Sequence, residues 1–414
     1  MRILFFSHYF PPEGNAPASR TYENCKRWVR KGHEVTVITC VPNVPDGVVY
    51  EGYKNKLRQC ESIDGIHVIR VWTYIAANEG TIRRIINYLS YMFNAVFVSL
   101  FLKKPELIIA TSPQFFCGWA GVIASRIRRV PLVLEIRDIW PESIVAVGAF
   151  RNKLLLRVLE WLELKMYAAA RHIVTVGQGY KQKLIEKGVQ EKKVSVIPNG
   201  FDRAVFYPCQ PDDKIKQRYN LNHEFICSYV GTIGMACGLD VVLRAAKLLK
   251  NKQRNDIKFL LVGTGAVKKQ LEQQATEESL DNIIFVGRQD KHLIPGFLSI
   301  TNACLVHLKK TELFKTVLPS KIFEAAAMAK PIILGVEGYA ADFLKRTGAG
   351  ICIEPKNAEQ LVRSVESLAD NPRLCRSLGQ AGYEYVTKYH NSDRLANDYL
   401  DIILRFSRFS FVPK

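Results

Sequence analysis

Paired cysteines are the first thing this sequence lacks. Its ten cysteines (Cys25, Cys40, Cys60, Cys117, Cys209, Cys227, Cys237, Cys304, Cys352 and Cys375) are scattered, with no C-x-x-C spacing. That argues against a zinc ribbon, a dithiol redox centre or a disulfide scaffold. Cys227, Cys304 and Cys352 sit in apolar strand-like runs, where a free thiol is a small core residue, so a reduced, cytoplasmic protein is expected. There is no D-x-D acid dyad and no G-x-G-x-x-G turn. Internal repeats and low-complexity stretches are also missing. The N-terminus lacks the pattern of a signal peptide: Arg2 precedes only four apolar residues before Ser7-His8, and no small-residue cleavage site follows. Ile3-Leu4-Phe5-Phe6 reads instead as a buried first strand. Acidic residues are scarce, 39 against 58 Lys and Arg, giving a formal charge of +19.

The chain of 414 residues is too long for one core and predicts two domains or more. Hydrophobic residues at 48% and aromatics at 10% are globular values, which exclude a disordered chain. Residues 1–205 hold 29 Lys and Arg against 17 Asp and Glu, and the remainder 29 against 22, so the first half carries most of the excess. A basic field of this kind attracts nucleic acid, anionic lipid or phosphorylated substrates. No nucleic-acid recognition module is visible, so nucleic acid is not an expected partner.

Short apolar strands alternate with helical stretches throughout. Strands are expected at 2–7, 34–40, 67–72, 106–111, 131–136 and 172–176, with helices at 17–31, 81–102, 117–128 and 151–169. The pattern restarts with strands at 225–231, 256–262, 282–286, 303–308, 331–334 and 350–353, separated by helices at 239–250, 266–276, 320–328, 357–369 and 372–389. Such alternation predicts an α/β protein with two doubly wound, parallel-sheet units. They are joined near Pro198–Asn222. The expected domains are 1–205, 222–385, and a helix and tail at 386–414 packing back on the first. Ligands of such folds bind beyond the carboxyl ends of the strands, so the cleft between the units is the expected active site.

The stretch Thr81–Lys104 stands apart. From Ile85 to Leu102 it is almost wholly apolar, bracketed by Arg83-Arg84 and Lys103-Lys104. Asn87, Ser90 and Asn94 fall on one helical stripe, which fits a helix half-buried in the domain or lying in a membrane interface better than a lipid-embedded span. Arg126, Arg128 and Arg129 extend the basic rim. The tail Arg405-Phe406-Ser407-Arg408-Phe409-Ser410-Phe411 mixes cations with aromatics and reads either as a second surface contact or as a solvated terminus.

Chemistry concentrates at strand ends. His8 to Ala16 follows the first strand, with Gly14 permitting close approach of a ligand. Arg137-Asp138-Ile139-Trp140-Pro141 follows a buried strand. Asp138 suits a base or an anchor for an acceptor hydroxyl, Arg137 suits phosphate or Asp138 itself, and Trp140 offers sugars a flat face. The bland alternative is a structural Arg–Asp pair. Gly231, Thr232, Gly234 and Gly238 form a glycine-rich turn whose amides suit phosphate. Gly263 and Gly265, and Gly287-Arg288, close two further strands at the same edge. The densest signal is Pro319-Ser320-Lys321-Ile322-Phe323-Glu324. Ser320 is expected to cap a helix whose free amides and dipole suit phosphate, Lys321 adds a cation, and Glu324 follows one turn later, placed for vicinal sugar hydroxyls. An ordinary capped helix with a surface Glu is the alternative.

Together these motifs resemble those of the family-four glycosyltransferases, over nearly the whole chain. Gly32-His33-Glu34-Val35 resembles the family's second strand. Val196-Ile197-Pro198-Asn199-Gly200-Phe201-Asp202, with Phe206 and Pro208, resembles its interdomain signature, and Pro319 to Glu324 with Lys330-Pro331 its nucleotide-binding helix. Within the family, the motifs look most like those of bacterial O-antigen and exopolysaccharide transferases, an L-fucosamine transferase above all. The resemblance implies the GT-B architecture of two facing Rossmann-like domains. It implies a UDP-sugar donor, a polyprenyl-diphosphate-linked sugar acceptor, no metal or other cofactor, and a place at the inner face of the plasma membrane against anionic lipid. It gives Glu324 the donor ribose, Lys321 and the amides from Ser320 to Ile322 the diphosphate, and Gly14 the donor sugar. The catalytic candidates are then Asp138, Arg137 and Lys321. Gly231, Thr232, Gly234, Gly263, Gly265 and Arg288 join the donor site. The sequence departs from the family where Thr316 replaces the first of two paired glutamates, and where Thr232 and Cys237 replace an Arg and a Lys. A catalytically silent lipid- or glycan-binding homologue and a GT-B nucleotide-sugar epimerase are the competing readings.

Overall fold

The computed structural model describes residues 1–44, 47–76, 81–112, 114–142 and 153–407. Ser143, the first two residues of the expected helix at 151–169 and the tail beyond Ser407 therefore lie outside the described residues. The chain divides into two compact units, Met1–Pro198 with Ser392–Lys414, and Asn199–Asn391.

The first unit is built on an eight-stranded sheet of order β3-β4-β2-β1-β5-β6-β7-β8. Its strands are β1 (Arg2–Phe6), β2 (Glu34–Cys40), β3 (Arg58–Ile63), β4 (Ile66–Val71), β5 (Leu107–Thr111), β6 (Leu132–Ile136), β7 (His172–Thr175) and β8 (Val194–Val196). All pairings are parallel except β3 with β4. β5, β6 and β7 are buried along their whole length, as sheets covered on both faces require. The helices are α1 (Ala16–Arg30), α2 (Thr81–Leu100), α3 (Phe115–Arg128), α4 (Lys153–Ala169) and α5 (Gln178–Glu186). Asn15 starts α1 by accepting the Ala18 N–H at 2.9 Å, and Gly32 ends the turn after it with φ +82°.

α1 buries one side against the helix Ser392–Leu404 near the C-terminus. The Trp28 ring meets Tyr399 edge-on at 5.2 Å, and its indole N–H donates to the Ala396 carbonyl at 3.0 Å. Ile3, Phe5, Val37, Leu395, Leu400 and Ile403 share that core.

The second unit carries a six-stranded parallel sheet of order β11-β10-β9-β12-β13-β14. The strands are β9 (Phe225–Val230), β10 (Ile257–Val262), β11 (Ile283–Gly287), β12 (Ala303–His307), β13 (Ile332–Gly335) and β14 (Gly350–Cys352). The helices are α6 (Asp213–Arg218), α7 (Asp240–Asn251), α8 (Lys268–Glu277), α9 (Ile294–Ser299), α10 (Lys321–Ala327), α11 (Tyr339–Thr347), α12 (Ala358–Asp370) and α13 (Pro372–Tyr389). Residues 199–205, expected in the first domain, belong to this unit, as does the joining stretch up to Leu221. Phe201 and Phe206 pack with Phe323 and Phe343, and Leu221 packs with Ile226 and Phe297.

Both sheets have a switch point, where successive connections depart to opposite sides. It falls between β1 and β5 in the first unit and between β9 and β12 in the second. Ligands of doubly wound sheets bind at the carboxyl ends of such strands. Gly14 lies in the loop after β1, and Gly231 and Lys309 follow β9 and β12.

Candidate active site

In the second unit the glycine turns interlock. The Gly231 N–H donates to Val262 O at 2.8 Å, Ile233 N–H to Thr264 O at 2.9 Å, and Gly263 N–H to Gly287 O at 2.8 Å. A Cβ on Gly263 would collide with the Gly231 carbonyl, and one on Gly265 with the Ile233 carbonyl. These residues are glycine so that three loops can close on one another at the sheet edge. Cys237 N–H is also spent, on Gly234 O at 3.0 Å. The turn therefore offers fewer amides to phosphate than its sequence implies, and the weight falls on nearby cations.

Lys321 is one of them. Its ammonium lies 3.5 Å from the centre of the Tyr229 ring. A side chain on Gly231 would meet it at 2.9–3.0 Å, so Gly231 makes room for the lysine. Lys321 and Glu324 keep some exposed surface but are ringed by protein. Burial lowers the Lys321 pKa to about 8 against the pull of Cys237 and Glu324. Burial likewise raises the pKa of Glu324, opposed by Lys291 and Lys321. The two side chains line a small cavity with Val230, Leu305, Val306 and Ala325. A cation and a carboxylate one helical turn apart, each poorly solvated, are poised for a ligand that carries both anionic oxygens and hydroxyls.

Two expectations about this helix change. α10 begins one residue later than expected, with Ser320 already in helical geometry and its side chain making no capping bond. The Ile322 N–H closes a turn onto Pro319 O at 3.2 Å, so it is already committed within the protein.

Three residues missed in the sequence complete the site. Tyr229 lies beneath Lys321 and donates its hydroxyl to Thr232 O at 2.7 Å, while the Cys237 thiol reaches the same carbonyl at 3.2 Å. Thr232 and Cys237 thus fix the turn. His307 Nε2 accepts the Lys356 N–H at 2.9 Å, so the Nδ1 proton points to Cys237 O at 2.7 Å. Burial lowers its pKa, keeping it neutral in that tautomer. Lys309 donates its N–H to Ala236 O at 2.8 Å, and its Cγ lies 3.3 Å from where a Gly238 side chain would begin. Lys321 and Lys309 therefore flank the two ends of one glycine turn. Only the β9–β12 adjacency, invisible locally, brings Lys309 there. Thr316 turns its hydroxyl back onto Leu313 O at 2.7 Å, and the exposed Glu312 pairs with Lys315 at 2.7 Å. Arg288 is exposed beyond β11, and Gly234 closes the turn.

In the first unit, Arg137 and Asp138 follow β6. The Arg137 N–H donates to Ser112 Oγ at 3.0 Å, tying the ends of β6 and β5 together. The Nε and Nη1 of its guanidinium are buried without a hydrogen-bond partner, and burial lowers its pKa to about 10. Asp138 is half-buried; burial raises the phenol pKa of Tyr180, and the charge of Asp138 adds to it. Trp140 stacks on Phe115 at 4.9 Å, so one ring face is already covered by protein. Glu135 is fully buried and pairs with Arg20 at 3.2 Å, and Arg20 also donates to Ile197 O and Pro198 O, both at 2.8 Å. Gly14 is exposed with open space where a side chain would stand. His8 and Glu13 turn inward. Rings of Tyr9, Tyr88 and Tyr91 surround His8, while Glu13 accepts the N–H groups of Asn43 and Val44 at 3.1 Å. Among the described residues no group of three His, Cys, Asp or Glu stands close enough to hold a metal ion.

Two doubly wound units, the second with a glycine-turn and lysine site at its switch point, define a glycosyltransferase of the GT-B fold. Sequence comparison gives the family. Residues 15–200 match the glycosyl transferase 4-like domain and residues 211–385 the glycosyl transferases group 1 family. The chain belongs to that group 1 (GT4-like) family. It is 27% identical over 376 residues to WcaI of Escherichia coli K12, named for colanic acid biosynthesis, covering 88% of this chain and 91% of that protein. It is 23% identical to the E. coli UDP-Gal:alpha-D-GlcNAc-diphosphoundecaprenol alpha-1,3-galactosyltransferase, over 78% of this chain and 83% of that one. In fold it matches Anabaena HepE, solved with UDP-glucose, at a TM-score of 0.72 with 18% identity, covering 97% and 99% of the two chains.

Proposed function

We propose that this protein transfers a hexosyl or N-acetylhexosaminyl group from a UDP-sugar to a polyprenyl-diphosphate-linked sugar, in assembly of an O-antigen or exopolysaccharide. The observation that carries the reading is Lys321 and Glu324 one turn apart on α10, with Lys309 at the far end of the same glycine turn. Glu324 accepts the two ribose hydroxyls. Lys321 and Lys309 offset the diphosphate, in place of the Arg and Lys that other family members carry at positions 232 and 237 and in place of a metal ion. Asp138 takes or orients the proton of the acceptor hydroxyl, and the Arg137 guanidinium beside it offsets negative charge on the reacting groups. HepE was solved with UDP-glucose, and the galactosyltransferase is named for a diphosphoundecaprenol-linked acceptor; both favour this donor and acceptor class. The resemblance to the L-fucosamine transferase WbuB makes UDP-N-acetyl-L-fucosamine the first donor to try.

Calorimetry with UDP tests the donor half. Hydrogen bonds to a charged group are worth about 1.5–3 kcal/mol each, so Glu324→Ala is expected to weaken UDP by roughly 10- to 100-fold or more with the melting temperature preserved. Unchanged affinity removes the ribose role from Glu324.

A further inference from the structure

One face of the first unit is apolar on the outside. α2, α3 and α4 make the connections from β4 to β5, β5 to β6 and β6 to β7, all stepping the same way along the sheet. Right-handed crossovers therefore put the three helices on one face. Arg128 of α3 donates to Leu102 O just beyond α2 at 2.7 Å. At Gly118 of α3, a side chain would collide with Met166 of α4. The three helices thus form one packed layer.

Phe93, Phe97, Phe101, Leu154 and Trp161 each leave more than half of their surface uncovered, as does Ile127 at the end of α3. Phe97 and Phe101 stack edge-on at 5.1 Å. α2 is inverted relative to an ordinary surface helix, which turns its polar stripe to water. Here Asn87 is buried and donates to Tyr74 O at 2.6 Å, while Ser90 accepts the Tyr74 N–H at 2.8 Å. The polar stripe is spent on the protein, and phenylalanines face outward. Scattered apolar side chains on a surface need no explanation, but a row of exposed phenylalanines four residues apart along one helix does.

The surrounding charge names the occupant. α2 and α3 contain no Asp or Glu, and Arg83, Arg84, Lys103, Lys104 and Arg126 are exposed around them. On α4 the exposed acid is Glu160; Glu163 is buried and paired with Lys187. A second copy of the chain would bring these cations against one another. An anionic bilayer satisfies both features, since phosphate headgroups meet the Lys and Arg while rings enter the acyl boundary. No helix among the described residues is long and apolar enough to cross a membrane, so the contact is one of surface docking.

We infer that α2, α3 and α4 together form a face that docks on an anionic membrane, with Phe93, Phe97 and Trp161 entering the interface and Arg83, Arg84, Lys103 and Lys104 bound to headgroups. The inference deepens the lipid-linked acceptor reading by placing the acceptor's lipid on this unit. It stands apart from the donor reading, because UDP affinity in solution reports one and vesicle binding the other.

The test is co-sedimentation of the full chain with vesicles of phosphatidylcholine alone or mixed with phosphatidylglycerol, at low and high salt. Binding to the mixed vesicles is expected to exceed binding to the neutral ones at least tenfold and to weaken with salt. A juxtamembrane charge is worth about 1 kcal/mol, so the variant with Arg83→Gln, Arg84→Gln, Lys103→Gln and Lys104→Gln should lose roughly 100-fold or more. Phe93→Ser combined with Phe97→Ser and Trp161→Ser should lose at least about tenfold even at low salt. UDP affinity should be unchanged in both, showing that the second unit is intact. Equal pelleting of wild type and variants overturns the inference, as does absence of wild-type binding. Self-association abolished by the serine variant, without vesicle binding, would give the face to a second copy and equally overturn it.

Discussion

Lys321 and Glu324 were legible in the sequence because their relation is local: three residues on a helix share a face whatever surrounds them. Their partners were not. Tyr229 and Lys309 reach the site through the pairing of β9 with β12, which a spacing rule cannot anticipate. Ser320 was misread as a cap because Pro319 and Ile322 close a turn first. Trp140 stacks on Phe115, which leaves only its other face for a sugar. At this scale the charge states predict a pH profile. With a Lys321 pKa of about 8, UDP affinity should fall as pH rises through 8, where the ammonium is lost. It should fall again on the acid side, at a higher pH than an ordinary carboxylate would give, because burial raises Glu324. Lys321→Arg should remove the alkaline limb and leave the acid one; calorimetry across pH reads both. Stability moves the other way. The folded lysine pKa lies below the unfolded value of about 10.4, so the charged form costs stability below pH 8, and the cost fades as pH rises toward that value. Lys321→Met should therefore raise the melting temperature at pH 7 while weakening UDP, as expected of a side chain retained for binding.

Elements with a buried apolar run were legible, and those without one were not. β1, β2, β5 and β6 appear within a residue or two of their expected limits. β3, with the sequence Arg-Gln-Cys-Glu-Ser-Ile, is an antiparallel edge strand of alternating exposure and carries no such signal. β8 is only three residues long, and α11 was missed between two glycines. The glycine turns make a sharp contrast with Gly14. Gly263 has φ +146° and its missing side chain faces the Gly231 backbone, which cannot move aside. Gly263→Ala is therefore expected to cost about 2 kcal/mol or more of stability and to abolish UDP binding, in a denaturant titration and by calorimetry. Gly14→Ala meets open space and should unfold as wild type does. A loss from Gly14→Ala as large as that from Gly263→Ala would contradict the packing described.

At the scale of the whole molecule, the chain returns to its first unit at Ser392, and the last helix completes that unit's core. Leu395, Tyr399, Leu400 and Ile403 are buried there, and burying each such side chain is worth about 1.5–3 kcal/mol. Their sum approaches the whole stability of a typical domain, about 5–15 kcal/mol. Removing residues 392–414 should thus unfold the first unit, with loss of cooperative melting and exposure of Trp28 to fluorescence quenchers. A cooperative transition at the wild-type temperature would show the helix to be dispensable. The sequence carried the two-unit organisation through its repeated strand–helix alternation, and the family resemblance carried the chemistry. The sugar itself is set by pocket shape, which neither motif nor composition encodes.

The most direct test of the central claim is transfer itself. The purified protein is incubated with UDP-, GDP- and dTDP-sugars and a polyprenyl-diphosphate-linked N-acetylhexosamine, and the lipid is weighed by mass spectrometry. The account predicts a gain of one sugar from a UDP donor. Glu324→Ala should abolish it through lost UDP binding, and Asp138→Asn should lower it with UDP binding kept. UDP that fails to bind the wild type, or a product undiminished in Glu324→Ala, would contradict it.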